Sequence, residues 1–220
     1  MHEPIRLRVF GDYALFSRPE LKVERYSYDV MTPSAARGIL DAIYYHPGMR
    51  WRIRRIYVEK PIRFTNVRRN EISEKIPASK LLSVANGAGE ELYIDRRTSI
   101  LQRAATILRD VSYVIEANFE LVPERMSKED SEEKFYAIFC NRARQGKCFT
   151  QPYFGCREFP ASFELLTRDA VPPQPIGESC DLGIMLYDMD FSVPGDIRPM
   201  FFKAFMESGV VTVEGKEILR

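Results

Sequence analysis

Residues 99–121 read SILQRAATILRDVSYVIEANFEL. Apolar and polar side chains alternate on both sides of Arg109-Asp110-Val111, so the spacing predicts two strands, Ser99 to Leu108 and Ser112 to Leu121, joined as a hairpin at that tripeptide. In the second run Tyr113, Ile115, Ala117, Phe119 and Leu121 share one face, and Glu116, Asn118 and Glu120 take the other. The apolar face asks for a helical layer to cover it, and the flanking sequence offers two candidates.

Upstream, Ile5 to Phe10 alternates apolar with basic residues and reads as a first strand that turns at Gly11-Asp12-Tyr13. Thr32 before Pro33 is an N-cap followed by proline at the first helical position. Ala36, Ile39, Leu40 and Ile43 then recur on one face until Pro47-Gly48 ends the run. Residues 51–64, WRIRRIYVEKPIRF, alternate as one long strand with arginines outward, and the thirty or so residues that follow, around VANGAGE, read as an extended loop. Downstream, a helix is expected around Glu132 to Gln145, capped by Ser127 or Ser131, with Phe135, Ile138 and Phe139 as its apolar stripe and Gly146 as its stop. An apolar segment near Ser162 to Leu166, the VPPQP joint and two or three further strands complete the chain. This order predicts an α+β fold: a ferredoxin-like (RRM-like) βαββαβ domain over residues 1–166, with a small C-terminal antiparallel β subdomain over 167–220. Many functions use that fold, so the order alone selects none.

At 220 residues and 45 % apolar side chains, the chain can bury a core without staples. Cys140, Cys148, Cys156 and Cys180 form no C-x-x-C pair, and only His2 and His46 could add nitrogen ligands. That spacing does not suit a structural zinc; no metal and no cofactor are expected, and the thiols read as reduced. The MHEPIRLRVF start lacks a basic segment followed by an apolar one, and no apolar run reaches membrane-spanning length, so a cytoplasmic chain is expected. The net charge of +1 conceals a division: residues 50–110 carry 14 Lys/Arg against 7 Asp/Glu, whereas residues 164–196 carry 1 against 7. A polyanion partner for the first stretch and a protein neighbour for the second is one reading; two solvated faces is the other.

On a 100° helical wheel Tyr45 lies opposite the apolar stripe, while Tyr44 falls at its border near Arg37, where a ring can pack and a hydroxyl stay wet. His46 at the helix mouth suits either a partner for the helix dipole or a base. Lys134 takes the matching border position on the second helix, although a lysine stem laid along apolar surface explains the same spacing. Tyrosine, histidine and lysine together suit attack by a ribose 2′-hydroxyl on its neighbouring phosphate, which needs a base, a cation and an acid. Arg37, Arg68, Arg69, Arg96, Arg97, Arg103, Arg142, Arg144 and Lys147 are candidate RNA-binding cations, with Tyr93 and Tyr113 available for stacking. Alternatively these cations hold surface carboxylates. There is no RNP-type aromatic motif, which argues against a generic single-strand RNA-recognition sheet.

The run FGDYALFSRPELKVERYSYDVMTPSAARGILDAIYYHPG, then NVRRNEI, QRAATILRDVSYVIEANFEL and YFGCREFPASFEL, resembles the fifth Cas protein family of CRISPR systems in its subtype I-C form, over roughly residues 6 to 166. The resemblance implies a member of the RAMP superfamily of ferredoxin-like RNA-binding proteins. Such a protein would cut precursor CRISPR RNA within each repeat without metal, then remain on the 5′ handle of the mature crRNA beside other Cas subunits of a type I-C interference complex. It also implies that Tyr44, in IYYHP, is the catalytic tyrosine and Lys134 the catalytic lysine. The family's lysine is followed by histidine, and here that position is Phe135. Three outcomes follow: Tyr44 and Lys134 suffice, His46 supplies the imidazole, or cutting is weakened. The alternative is a structural subunit that caps the 5′ handle of an RNA cut elsewhere. Arg157 and Glu158 in YFGCREF gain no chemical role from the resemblance, and core anchoring is their expected part.

Overall fold

A computed structural model of the chain describes residues 3–21, 23–89, 91–167, 172–193 and 195–220. His2 and Val171, the first residue of the VPPQP joint, lie outside the described residues. The elements are β1 (Ile5–Ala14), β2 (Arg25–Tyr26), α1 (Pro33–Ile43), β3 (Met49–Val58), β4 (Phe64–Ile72), α2 (Ala78–Ala85), α3 (Arg96–Ser99), β5 (Ile100–Leu121), α4 (Glu132–Arg144), β6 (Ser162–Leu166), β7 (Cys180–Asp190), β8 (Arg198–Glu207) and β9 (Val210–Thr212). The fold is mixed α/β and dominated by an antiparallel sheet with the order β6-β1-β5-β3-β9-β8-β7; β2 and β4 pair with β5 off that path.

The predicted hairpin at Arg109-Asp110-Val111 is instead one 22-residue strand, β5. Asp110 has a φ of 53°, the left-handed conformation that Asp tolerates better than most side chains, and its carboxylate is held by Lys60. The strand runs through this residue without reversing. The two halves of β5 take different neighbours: Ile100 to Leu108 pairs with β4, and the later half runs between β1 and β3. The long strand expected over 51–64 accordingly breaks after Val58 and resumes at Phe64 as the partner of β5. The expected loop around VANGAGE contains β4, α2 and α3, which form a projecting arm; α2 buries no side chain. Gly11-Asp12-Tyr13 does not turn either. β1 continues to Ala14, and Gly11 serves a close approach, since a Cβ there would lie 3.0 Å from the Phe154 ring and 3.0 Å from the Pro160 carbonyl oxygen.

Both main helices match their local signals. Thr32 Oγ1 accepts from the Ala35 amide (3.2 Å), and Ser131 Oγ accepts from the Lys134 amide (3.2 Å). α1 buries Ala36, Ile39, Leu40 and Ile43; α4 buries Phe135, Phe139, Cys140 and Ala143, with Ile138 only half-buried, and Gly146 follows at φ 65°. Trp51 of β3 packs edge-on to Phe139 at 4.7 Å between ring centroids, joining α4 to the sheet. Glu116, on the opposite face of β5, is buried yet satisfied by Arg6 Nε (2.8 Å), Arg55 Nη1 (3.3 Å) and the Tyr57 hydroxyl (3.2 Å). All four cysteines are unpaired, and burial pushes the Cys140 and Cys156 thiols up.

The YFGCREF stretch enters the core through Phe154 and Phe159, whereas Arg157 and Glu158, expected as its core anchors, are both exposed. Phe154 is fully buried against Phe16 and Tyr113, and the Leu15 amide donates to its carbonyl (3.0 Å). Gly155, at φ 77°, lets the backbone pass Leu15 so closely that a Cβ would lie 2.0 Å from its carbonyl oxygen. Glu158 ties the stretch to the arm through an ion pair with Arg69, whose guanidinium lies 5.2 Å from the Phe159 ring. No helix among the described residues is long and apolar enough to cross a membrane.

Candidate active site where the end of α1 meets α4

α1 ends one residue before Tyr44, which is extended (φ −152°, ψ 118°) and donates its amide to the Leu40 carbonyl (3.0 Å). The wheel argument therefore stops short of Tyr44. Its ring is not at a wet border but only 7 % exposed, 6.4 Å from Phe135 and 5.2 Å from the Arg142 guanidinium. Arg142 Nη1 also donates to the Ile43 carbonyl (3.1 Å), so one cation caps the C-terminus of α1 and covers the tyrosine. Burial raises the Tyr44 phenol above its ordinary value, and Asp130 adds to this against the opposing pull of Arg142 and Lys134. The phenol keeps its proton and is equipped to donate it.

Across from Tyr44, α4 begins with a side chain that helix stability does not explain. Lys134 lies in the first turn, where a cation opposes the helix dipole. Asp130 offsets that opposition: its Oδ1 accepts from Lys134 Nζ at 3.0 Å, while its Oδ2 accepts from the Ser127 amide at 2.9 Å and stands 3.7 Å from His46 Nε2. The Ser127 amide first and Lys134 next hold the Asp130 carboxyl at about 2. Lys134 Nζ also donates to the Glu129 carbonyl (3.3 Å). His46 stacks on Phe135 at 4.6 Å between centroids, and its Nδ1 accepts from the Gly48 amide (3.0 Å). That bond occupies the lone pair of the neutral ring and leaves its proton on Nε2, facing Asp130.

Tyr44, His46, Lys134 and Arg142 are thus brought together around Phe135, which is fully buried. The remaining candidate cations are not part of this cluster. Arg37 is taken by Asp188 of β7 (2.8 Å) and by Asp41. Arg69 and Arg103 stand opposite each other on the arm, the first bound to Glu158 and the second to Glu71 (3.1 Å). Arg68, Arg96 and Arg97 are exposed on the arm, and Arg144 and Lys147 are exposed at and beyond the end of α4. Tyr93 is exposed, but Tyr113 is buried in the core and cannot stack on a base. Sequence reasoning missed Asp130; its spacing of four residues before Lys134 was the available signal.

A family model described as CRISPR-associated protein (Cas_Cas5) matches residues 5–214. The CRISPR pre-crRNA endoribonuclease Cas5d of Mannheimia succiniciproducens is 47 % identical over 218 residues, covering 97 % of this chain and 96 % of its own. The protein of the same name from Thermus thermophilus is 35 % identical over 230 residues, covering 97 % of this chain and 92 % of its own. A solved structure, described as the crystal structure of a CRISPR-associated protein, superposes at a TM-score of 0.69 with 23 % identity and covers 100 % of both chains, a likeness of fold. On the extent and identity of these matches, the chain belongs to the Cas5d family of CRISPR-associated proteins.

Proposed function

We propose that this chain is a metal-independent endoribonuclease that cuts precursor CRISPR RNA within its repeats, then stays on the 5′ handle of the mature RNA as a subunit of a type I-C interference complex in the cytoplasm. The observation that carries the reading is the run of contacts along α4 where α1 ends, from Arg142 over Tyr44 through Phe135 and His46 to Asp130 and Lys134. The activity named for two relatives matched along nearly their whole length agrees with it.

In the reaction a ribose 2′-oxygen bonds to the adjacent phosphorus and the bond to the 5′-oxygen breaks, giving a 2′,3′-cyclic phosphate and a 5′-hydroxyl. The Lys134 ammonium, with Arg142 as a second cation, offsets the charge of the phosphorane. Tyr44 gives its proton to the leaving 5′-oxygen, and the proton lost by the 2′-hydroxyl returns through water to the phenolate. His46, its lone pair engaged by Gly48, positions Asp130 and through it Lys134. Arg68, Arg96 and Arg97 on the arm, with Arg144 and Lys147, are placed to neutralise phosphates of the bound strand.

The strand order β6-β1-β5-β3 with α1 and α4 supports a ferredoxin-like domain over residues 1–166, with β5 inserted between the parallel strands of a split β-α-β unit. β7, β8 and β9, joined to it through β3, then form the C-terminal subdomain over 167–220.

The rival reading, a structural subunit capping the 5′ handle, is favoured by one observation: Phe135 takes the place of the family's histidine, and the nearby imidazole has no free lone pair. Repeat RNA incubated with the purified protein in EDTA separates the two. Cutting with the stated end groups, lost in Tyr44→Phe, supports the nuclease; tight binding with no cutting supports the cap.

A further inference from the structure

Beside Tyr44 lies a cleft of about 430 Å³, walled by Tyr44, Tyr45, Phe149, Tyr153, Arg142 and Asp41, whose carboxylate is held by Arg37. Three of its rings face water: Phe149 is 80 % exposed, Tyr45 60 % and Tyr153 39 %. The backbones of Phe149 and Tyr153 are fixed. The Ala42 carbonyl accepts from the amides of both Phe149 (2.8 Å) and Thr150 (3.1 Å), and Tyr153 is bridged to Pro160. So many ordered, exposed rings in one place call for an occupant. Gly38 of α1 also lines the cleft, and a Cβ built on it would meet nothing within 4 Å.

We infer that this cleft is a stacking subsite for one unpaired nucleobase of the RNA, the base next to the cut phosphate; the inference rests on the nuclease reading of Tyr44. Aromatic faces accept any base by stacking, which is how single-stranded RNA is commonly held. Arg142 adds a cation that can lie over a ring or meet a phosphate, and it already touches both the cleft and Tyr44. The occupant is RNA rather than a protein side chain because the cleft shares its Tyr44 and Arg142 wall with the proposed phosphate site, and exposed Arg144 and Lys147 follow on the same helix end. Seating the base here draws it out of the stack and frees its ribose for alignment with the leaving oxygen.

The test uses repeat RNA made uncleavable by a 2′-deoxy sugar at the cut, with 2-aminopurine placed in turn at each unpaired position. One position flanking the cut should be quenched on binding to the parent protein. Phe149→Ala should relieve that quenching and weaken binding of a short single strand by about fivefold to a hundredfold. Gly38→Leu, which fills the cleft from a position with open space, should do the same while circular dichroism and melting show an intact fold. Quenching unaffected by both variants, or no quenched position, overturns the subsite and leaves the cleft to a protein neighbour. If quenching behaves as expected but the parent never cuts unmodified repeat RNA, the subsite stands and the nuclease reading alone fails.

Discussion

Two basic regions of this chain are built in opposite ways. Along α4, where α1 ends against it, Arg142 lies over the Tyr44 ring and bonds to a helix-end carbonyl, and Lys134 is fixed by Asp130, with buried Phe135 between them in sequence. On the arm, Arg68, Arg96 and Arg97 stand in solvent, and the helix at its far end buries nothing. Stabilising a transition state needs groups already held in place, whereas neutralising phosphates needs only charge density within reach. Rate should therefore answer to the helix ends, and affinity and salt dependence to the arm.

The largest effect tests that division directly. Tyr44→Phe removes one hydroxyl and Lys134→Ala one cation, and each should slow single-turnover cleavage of repeat RNA by about a hundredfold or more while binding barely changes. EDTA should leave the parent rate as it is. If arm substitutions slow cleavage equally at saturating RNA, the comparison collapses.

Charge reversal of Arg68, Arg96 and Arg97 to Glu should have the converse signature. The slope of log affinity against log salt should flatten by roughly 0.7 per contact removed from a single strand, and affinity at low salt should fall roughly ten- to a hundredfold. The rate at saturation should persist. Arg69 and Arg103, already bound to Glu158 and Glu71, should matter less than their exposed neighbours, which filter binding at two salt concentrations would show.

What was legible in the sequence was local. The Thr32-Pro33 start, the Ser131 cap and the burial of Phe135 and Phe139 are each decided within a turn or two of helix, and the structure has them as read. β5 was misread because Asp110 carries a turn signal, while the partners that keep the strand continuous, β4 on one half and β1 with β3 on the other, lie far off in sequence. The candidate site divides the same way. Tyr44 and Lys134 were found through family resemblance, but the burial that raises the Tyr44 phenol comes with Phe135 and Arg142, about ninety residues away. No helical wheel contains that information.

Asp130→Asn sharpens the account of Lys134. Loss of its charge-assisted hydrogen bond to Lys134 should reduce the rate about tenfold, less than removal of the lysine itself. Its carboxyl is held at about 2, below the ordinary value near ~4. The stability it contributes is therefore present above pH ~4 and lost as pH falls through about 2. Melting curves from pH 5 down to 2 should show the parent losing more stability than Asp130→Asn, and equal losses would detach Asp130 from the fold of this corner.

The smallest effect belongs to His46, and it decides which residue moves protons. Nδ1 already accepts from Gly48, and Nε2 stands 3.7 Å from Asp130, too far for a strong hydrogen bond. A ring so placed steers a neighbour weakly and has no lone pair for the 2′-hydroxyl. His46→Ala should therefore cost no more than about fivefold, the range of a weak polar contact. The pH–rate profile should keep its shape, because a phenol raised above its ordinary value stays protonated through neutral pH. If His46→Ala instead cost a hundredfold and erased an inflection near pH ~6.5, the ordinary histidine value, the imidazole would be the base after all. It would then have to exchange its bond to Gly48 for the RNA, and this corner of the molecule would do its chemistry by rearrangement rather than by groups fixed in advance.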